Sequence, residues 1–158
     1  MATHKLDLTD FHNVDYSLFA IHCDQEDYHL AHSINTNLNT RLKRLNTDLD
    51  FKSPQCSFFS LFEWENYALE STWNLIKNNC KIELKSLGQG LFAESQAVSL
   101  KTVHLLQEHP TVDYFLKISG NHNLEKKTLE NLNKISTISM VYALEVAALR
   151  SKEYLILN

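Results

Sequence analysis

Breakers are scarce in this chain: 3 glycines and 2 prolines in 158 residues. Long flexible linkers and low-complexity spacers are therefore excluded, and most of the chain must sit in regular elements or packed connections. The three cysteines, Cys23, Cys56 and Cys80, are odd in number and far apart. Without a Cys-x-x-Cys pair, a zinc ribbon or a thioredoxin-type redox pair has nothing to start from. A basic surplus is missing too, since Lys plus Arg is 15 against 19 Asp plus Glu, a formal charge of -4. Proteins that grip phosphate backbones gain affinity by releasing counterions to basic side chains, so nucleic acid is a disfavoured partner. No run of about 18 uncharged apolar residues crosses a membrane. Residues 1–7 carry no apolar run for a signal peptide, so the expected place is the cytoplasm, with reduced thiols. There is no Gly-x-Ser-x-Gly elbow, and no Lys-Ser/Thr follows Gly88-Gln89-Gly90 to make a phosphate loop.

What is present suits a globular domain. Hydrophobic residues make up 44% and charged residues 22%, and a chain of this length buries roughly 70% of its unfolded surface. The expected organisation is an arm over residues 1–12 and one domain over 13–158.

Val14 to Cys23 reads as a central strand, apolar at both parities. Asp24 is the expected N-cap of a helix to about Asn39, with Leu30, Ala31, Ile34 and Leu38 in its buried stripe. Arg41 to Phe51 reads as a strand. Cys56 to Glu65 is another, with Phe58, Phe62 and Trp64 on one face and Phe59 and Leu61 on the other. Thr72 to Asn78 pairs with it as a hairpin. Lys101 to Gln107 and Val112 to Ser119 flank a turn at Glu108–Thr111. Asn121 or Asn123 caps a second helix to about Ser136, burying Thr128, Leu132 and Ile135 with Leu129 at the margin. Ile138 to Val146 is a strand, with a helical alternative over Ala143–Leu149. Tyr154–Leu157 is expected to pair at a sheet edge.

The segment Val14-Asp15-Tyr16-Ser17-Leu18 parallels Val112-Asp113-Tyr114-Phe115-Leu116. Each is followed by a helix and a candidate strand. This order implies an internal duplication: two β-α-β units in one mostly antiparallel sheet with both helices on one face, an α+β sandwich of ferredoxin-like or ACT-like type.

Leu106-Gln107-Glu108-His109-Pro110-Thr111-Val112-Asp113-Tyr114 resembles the signature of a family of small bacterial proteins named for its IPExxxVDY motif. Glu108 and Val112-Asp113-Tyr114 match at the right spacing, while Leu106 and Gln107 replace the isoleucine and proline. The resemblance supports the domain boundaries and brings no catalytic residues with it.

Three chemistries compete with plain structural roles. Glu108 and Asp113 can approach across a tight hairpin, with His109 beside them, as an acid/base pair. The alternative is that Leu106, Glu108, Val112, Asp113 and Tyr114, like Asp15 and Tyr16, are turn and strand-end residues, the acids taking backbone N–H groups and the tyrosines packing. The Val-Asp-Tyr at residues 14–16 has no such Glu before it, which favours the structural role. His29 and His32 have ligand spacing on the first helix but lie opposite its apolar stripe, so no metal is expected. Phe58, Phe62, Trp64 and Trp73 form an aromatic cluster in which Glu63 and Glu65 interleave, unlike an RNA-stacking sheet. Whether that cluster is core or interface stays open.

The resulting expectation is a non-enzymatic interaction or ligand-sensing module without a cofactor, pairing with a second copy through a sheet edge or the aromatic face. The alternatives are a small enzyme using Glu108 and Asp113, and an RNA-associated protein with a basic face at Arg41, Lys43 and Arg44.

Overall fold

The computed structural model describes residues 16–51, 57–85, 98–120 and 124–157. Asp15, Cys56, Gly88, Gly90, the two asparagines expected to cap the second helix, and the arm lie outside the described residues. Among the described residues, ten strands and two α-helices follow one another: β1 (Tyr16–His22), α1 (Asp27–Leu38), β2 (Lys43–Arg44), β3 (Leu49–Phe51), β4 (Ser57–Phe59), β5 (Leu61–Asn66), β6 (Ser71–Lys77), β7 (Asn79–Lys85), β8 (Val98–His104), β9 (Tyr114–Ser119), α2 (Glu125–Leu132) and β10 (Met140–Leu144). Short 3-10 turns at Val146–Ala148 and Lys152–Leu155 close the described chain.

Six strands form one sheet in the order β10-β1-β9-β6-β5-β2, antiparallel at every step. Two ribbons, β3–β4 and β7–β8, stand beside it. The α+β class and the mostly antiparallel sheet with two helices are as the sequence implies.

Strand alternation sends successive side chains to opposite faces. Phe19, Ile21, Trp73, Leu75, Leu116 and Ile118 meet Leu30, Ala31 and Ile34 of α1 and Leu132 of α2. On the other face Leu18, Ala20, Ile76 and Phe115 meet Leu105, Leu106, Val112, Val146, Leu149 and Leu155. The sheet is thus covered twice, by helices on one side and by turns and 3-10 segments on the other. That is why β1 and β9 are apolar at both parities.

Several expectations need correction. The N-cap of α1 is Glu26, which makes no side-chain cap bond; Asp24 lies outside the helix, and Asp27 Oδ1 accepts from the Tyr28 N–H at 2.7 Å. The helix ends at Asn39 in the left-handed region, φ 55, which asparagine tolerates well. The expected strand over Arg41–Phe51 is two short strands in different sheets. The strand over Cys56–Glu65 divides between β4 and β5. Phe58 falls on β4 and is exposed, whereas Phe62 and Trp64 pack on the helix face as expected. Tyr154–Leu157 does not pair at an edge, since Leu155 is buried in a 3-10 turn.

The duplication fails at the level of residues. Tyr16 and Leu18 face the turn side of the sheet, while Tyr114 and Leu116 face the helices. A one-residue phase difference reverses every side chain in a strand. The matched pentapeptides are therefore not equivalent positions in the fold.

Gly120 ends β9 at φ +99, and a Cβ there would lie 2.2 Å from the Glu70 carbonyl oxygen. Only glycine lets the β5–β6 turn sit this close to the end of β9. That contact places the turn beside the start of α2.

Candidate functional site

Trp64 on β5 and Trp73 on β6 stand opposite each other in the register. Their rings lie 5.8 Å apart at 54° on the helix face. They form the floor of a cleft of about 240 Å³. One wall is the end of α1, Leu38 to Thr40; the other is one face of α2, Leu124, Lys127, Thr128 and Asn131; the β5–β6 turn closes one end with Asn66 and Leu69.

Local hydrogen bonds fix these walls. Asn35 Oδ1 accepts from the Thr40 hydroxyl and the Leu42 N–H, both at 2.8 Å, and Asn35 Nδ2 donates to the Leu42 carbonyl. These bonds tie the link from α1 to β2 back to the helix. Trp73 is 5% exposed, and its Nε1 donates to Ser71 Oγ at 3.3 Å. Trp64 is partly exposed, and its indole N–H has no partner among the described residues. Thr128 is 4% exposed, yet its hydroxyl also has no hydrogen-bond partner among the described residues. An apolar floor with a few unpaired polar groups converging on it is the usual constitution of a small-molecule site.

The expected acid/base pair does not assemble. β8 pairs with β7 rather than β9, so there is no tight hairpin to bring Glu108 across to Asp113. Glu108 is bound to the C-terminal segment: Oε1 accepts from the Arg150 and Ser151 N–H groups at 3.0 Å, and Oε2 accepts from Ser151 Oγ at 2.7 Å. Burial pushes its carboxyl up, but the Ser151 and Arg150 donors outweigh that and hold it below the ordinary carboxylate range. Asp113 Oδ2 accepts from the Cys23 N–H at 3.0 Å. Tyr114 Oη donates to the Gln25 carbonyl at 2.7 Å, and burial, then the charges of Asp27, Cys23, Glu26 and Asp113, push its phenol well up. His109 gives its backbone to the turn, its carbonyl accepting from Asn78 Nδ2. Leu106 and Val112 are core residues. Tyr16 lies under the Lys117 ammonium, 4.7 Å from the ring centre.

The turn that carries the motif is organised by a residue the sequence does not advertise. Asn78 is fully buried. Its Nδ2 donates to the His109 and Val112 carbonyls at 2.8 Å, and its Oδ1 accepts from the Leu106 N–H at 3.0 Å. Nothing in the spacing around Asn78 marks this; only its place between two strands, in an apolar stretch, is a hint.

His29 and His32 are exposed on α1, as the helical wheel implies. Among the described residues, no three His, Cys, Asp or Glu side chains gather to hold a metal. Cys23 is buried, its Sγ donating to the Thr137 carbonyl at 3.1 Å, and burial pushes the thiol up. Within the basic cluster, Arg44 pairs with Asp48 and lies over the Phe62 ring, and Lys43 sits opposite Glu63 on β5. Among the described residues, no helix is long and apolar enough to cross a membrane.

The cleft draws on the expected aromatic cluster through Trp64 and Trp73. Its polar wall was legible only as Thr128 in the buried stripe of the second helix. Compared with protein-family models, with curated proteins and with solved structures, the chain finds no match in any of the three.

Proposed function

We propose that this protein is a non-enzymatic ligand-sensing module that binds a small cyclic molecule over Trp64 and Trp73. One observation carries the reading: an aromatic floor, Trp64 against Trp73, with the Thr128 hydroxyl on its wall making no hydrogen bond among the described residues. Glu108 and Asp113 lie outside this cleft and are already occupied by backbone donors, which removes the support for acid/base chemistry there. In the basic cluster, Arg44 is already paired with Asp48, which leaves an RNA partner less to hold.

The finer architectural reading belongs with this proposal. The order β10-β1-β9-β6 is the strand order of a ferredoxin-like or ACT-like unit. Within it, α2 links the parallel strands β9 and β10 across β1, and β2 and β5 extend the sheet beyond it. Kinship with the IPExxxVDY family rests on Glu108 and Val112–Tyr114 and is proposed on that motif alone.

The test uses the fact that Trp64 and Trp73 are the two tryptophans of the chain, so intrinsic fluorescence reads the cleft directly. A library of small cyclic metabolites is screened by emission and by thermal shift. A binder should move both signals, and Thr128→Val should weaken it without lowering the melting temperature of the free protein. Binders that leave the emission unchanged, or that bind Thr128→Val and Trp64→Ala as well as the parent, would refute the cleft.

A second reading, self-association, keeps one observation. β10 is an edge strand without charge or proline, and Met140 on it is 55% exposed. Such an edge is a template for a second copy. Sedimentation of the parent and of Ala143→Lys decides it, a monomer in both cases ruling it out.

A further inference from the structure

The charge of the cleft gives the class of its ligand; this step rests on the cleft being a binding site. Lys127 is the one charged side chain on its walls among the described residues, and it makes no ion pair there. It stands at the third position of α2, an eight-residue helix whose N-cap, Leu124, offers no side-chain acceptor. Glu125, in the first turn of α2, is exposed and not part of the cleft wall.

The next residue supplies independent evidence of an occupant. Thr128 is 4% exposed, lines the same wall and has an unpartnered hydroxyl among the described residues. An ammonium and a hydroxyl on one wall make a place for a single negative charge. The facing surface is indole. A cavity of about 150 Å³ holds benzene, so 240 Å³ has room for one ring with a short substituent. We propose that the cleft takes a small ring-bearing monocarboxylate, its ring on Trp64 and its carboxylate at Lys127 and Thr128.

Titration of the full chain with benzoate, benzamide and glucose, followed by tryptophan fluorescence, tests the class. Benzoate should bind most tightly, with benzamide weaker by about tenfold, or about 1.4 kcal/mol. Lys127→Gln, at an exposed position, should bring benzoate down to the benzamide level and leave benzamide unchanged. Benzamide or glucose binding as tightly as benzoate overturns the monocarboxylate while the cleft stands. So does a benzoate affinity that ignores Lys127→Gln. Silence from all three at tens of millimolar also overturns the monocarboxylate, and the cleft is then judged by the wider screen with Thr128→Val.

Discussion

Lys117 Nζ donates to the carbonyl oxygen of Leu155 at 2.7 Å, tying a central strand of the sheet to the last 3-10 turn. The side chain is buried on the turn face, over the Tyr16 ring, without a carboxylate in ion-pair reach among the described residues. Burial pulls its ammonium below the ordinary 10.5. Between the lowered folded value and 10.5 the unfolded chain holds more protons than the folded one, so stability rises with pH in that window. Tyr16 and Tyr114 act the other way above about 10, because burial raises both phenols. Urea denaturation from neutral pH to about 10 should show a rise in the parent that Lys117→Met lacks, while the raised Cys23 thiol pulls both proteins down above about 9. Parallel curves for the two proteins would show that Lys117 does not carry it.

Asn78 gives the largest expected effect of any polar substitution. Replacing it by alanine strands the His109 and Val112 carbonyls and the Leu106 N–H inside the fold. Unsatisfied buried groups cost about 1–3 kcal/mol each, so Asn78→Ala should lose on the order of 3 kcal/mol or more. Asn78→Asp keeps the shape but aims a carboxylate at two carbonyls. It should recover stability in acid, where the protonated carboxyl donates again. Chemical denaturation at neutral and acid pH checks both variants.

Sequence periodicity made the layers legible and left the connections obscure. β1 and β9 announce burial on both faces because both parities are apolar, and the stripes of α1 and α2 name their buried residues, Leu30, Ile34, Thr128 and Leu132. Pairing partners were less readable. Lys101–Gln107 looked like the mate of Val112–Ser119 because they are neighbours in sequence, but β8 pairs with β7. Asn78 holds the intervening turn by side-chain bonds that no local pattern encodes. The Val-Asp-Tyr repeat misled for a related reason: identity of letters carries no information about pleat phase. The cleft was half visible. Its tryptophans stand out in composition, whereas Asn39, Asn66 and Lys127 gather there only through the strand order.

Tyr114 and Asp113 should prove structural and unequal. Tyr114 is 3% exposed among Phe19, Ile21 and the helices, and its hydroxyl fixes the Gln25 carbonyl ahead of α1. Tyr114→Ala should cost on the order of 3–4 kcal/mol as a large core deletion. Tyr114→Phe should cost about 1 kcal/mol for the lost hydrogen bond. Asp113→Asn retains an acceptor for the Cys23 N–H and should also lose only about 1 kcal/mol. Denaturation of the three variants orders them, and a Tyr114→Ala protein as stable as the parent would contradict the packing.

Glu108 should reveal itself by acid dependence. Its carboxylate takes three donors from Arg150 and Ser151, closing the C-terminal segment over the turn face of the sheet. These bonds favour the charged form, so the folded pKa lies below the ordinary 4.5 despite burial acting the other way. A depressed carboxyl stabilises the fold above its unfolded value, and the contribution is lost as pH falls through the folded one. Glu108→Gln keeps one acceptor oxygen and removes the charge, and at neutral pH it should cost about 1 kcal/mol. The gap from the parent should narrow below about pH 4.5 and close once the parent's carboxyl is protonated. Hydrogen exchange locates the effect: the Arg150 and Ser151 amides should lose protection in the variant while β1 and β9 keep theirs. A constant gap across this range, or loss of protection throughout the sheet, would mean that Glu108 acts by some route other than these three bonds.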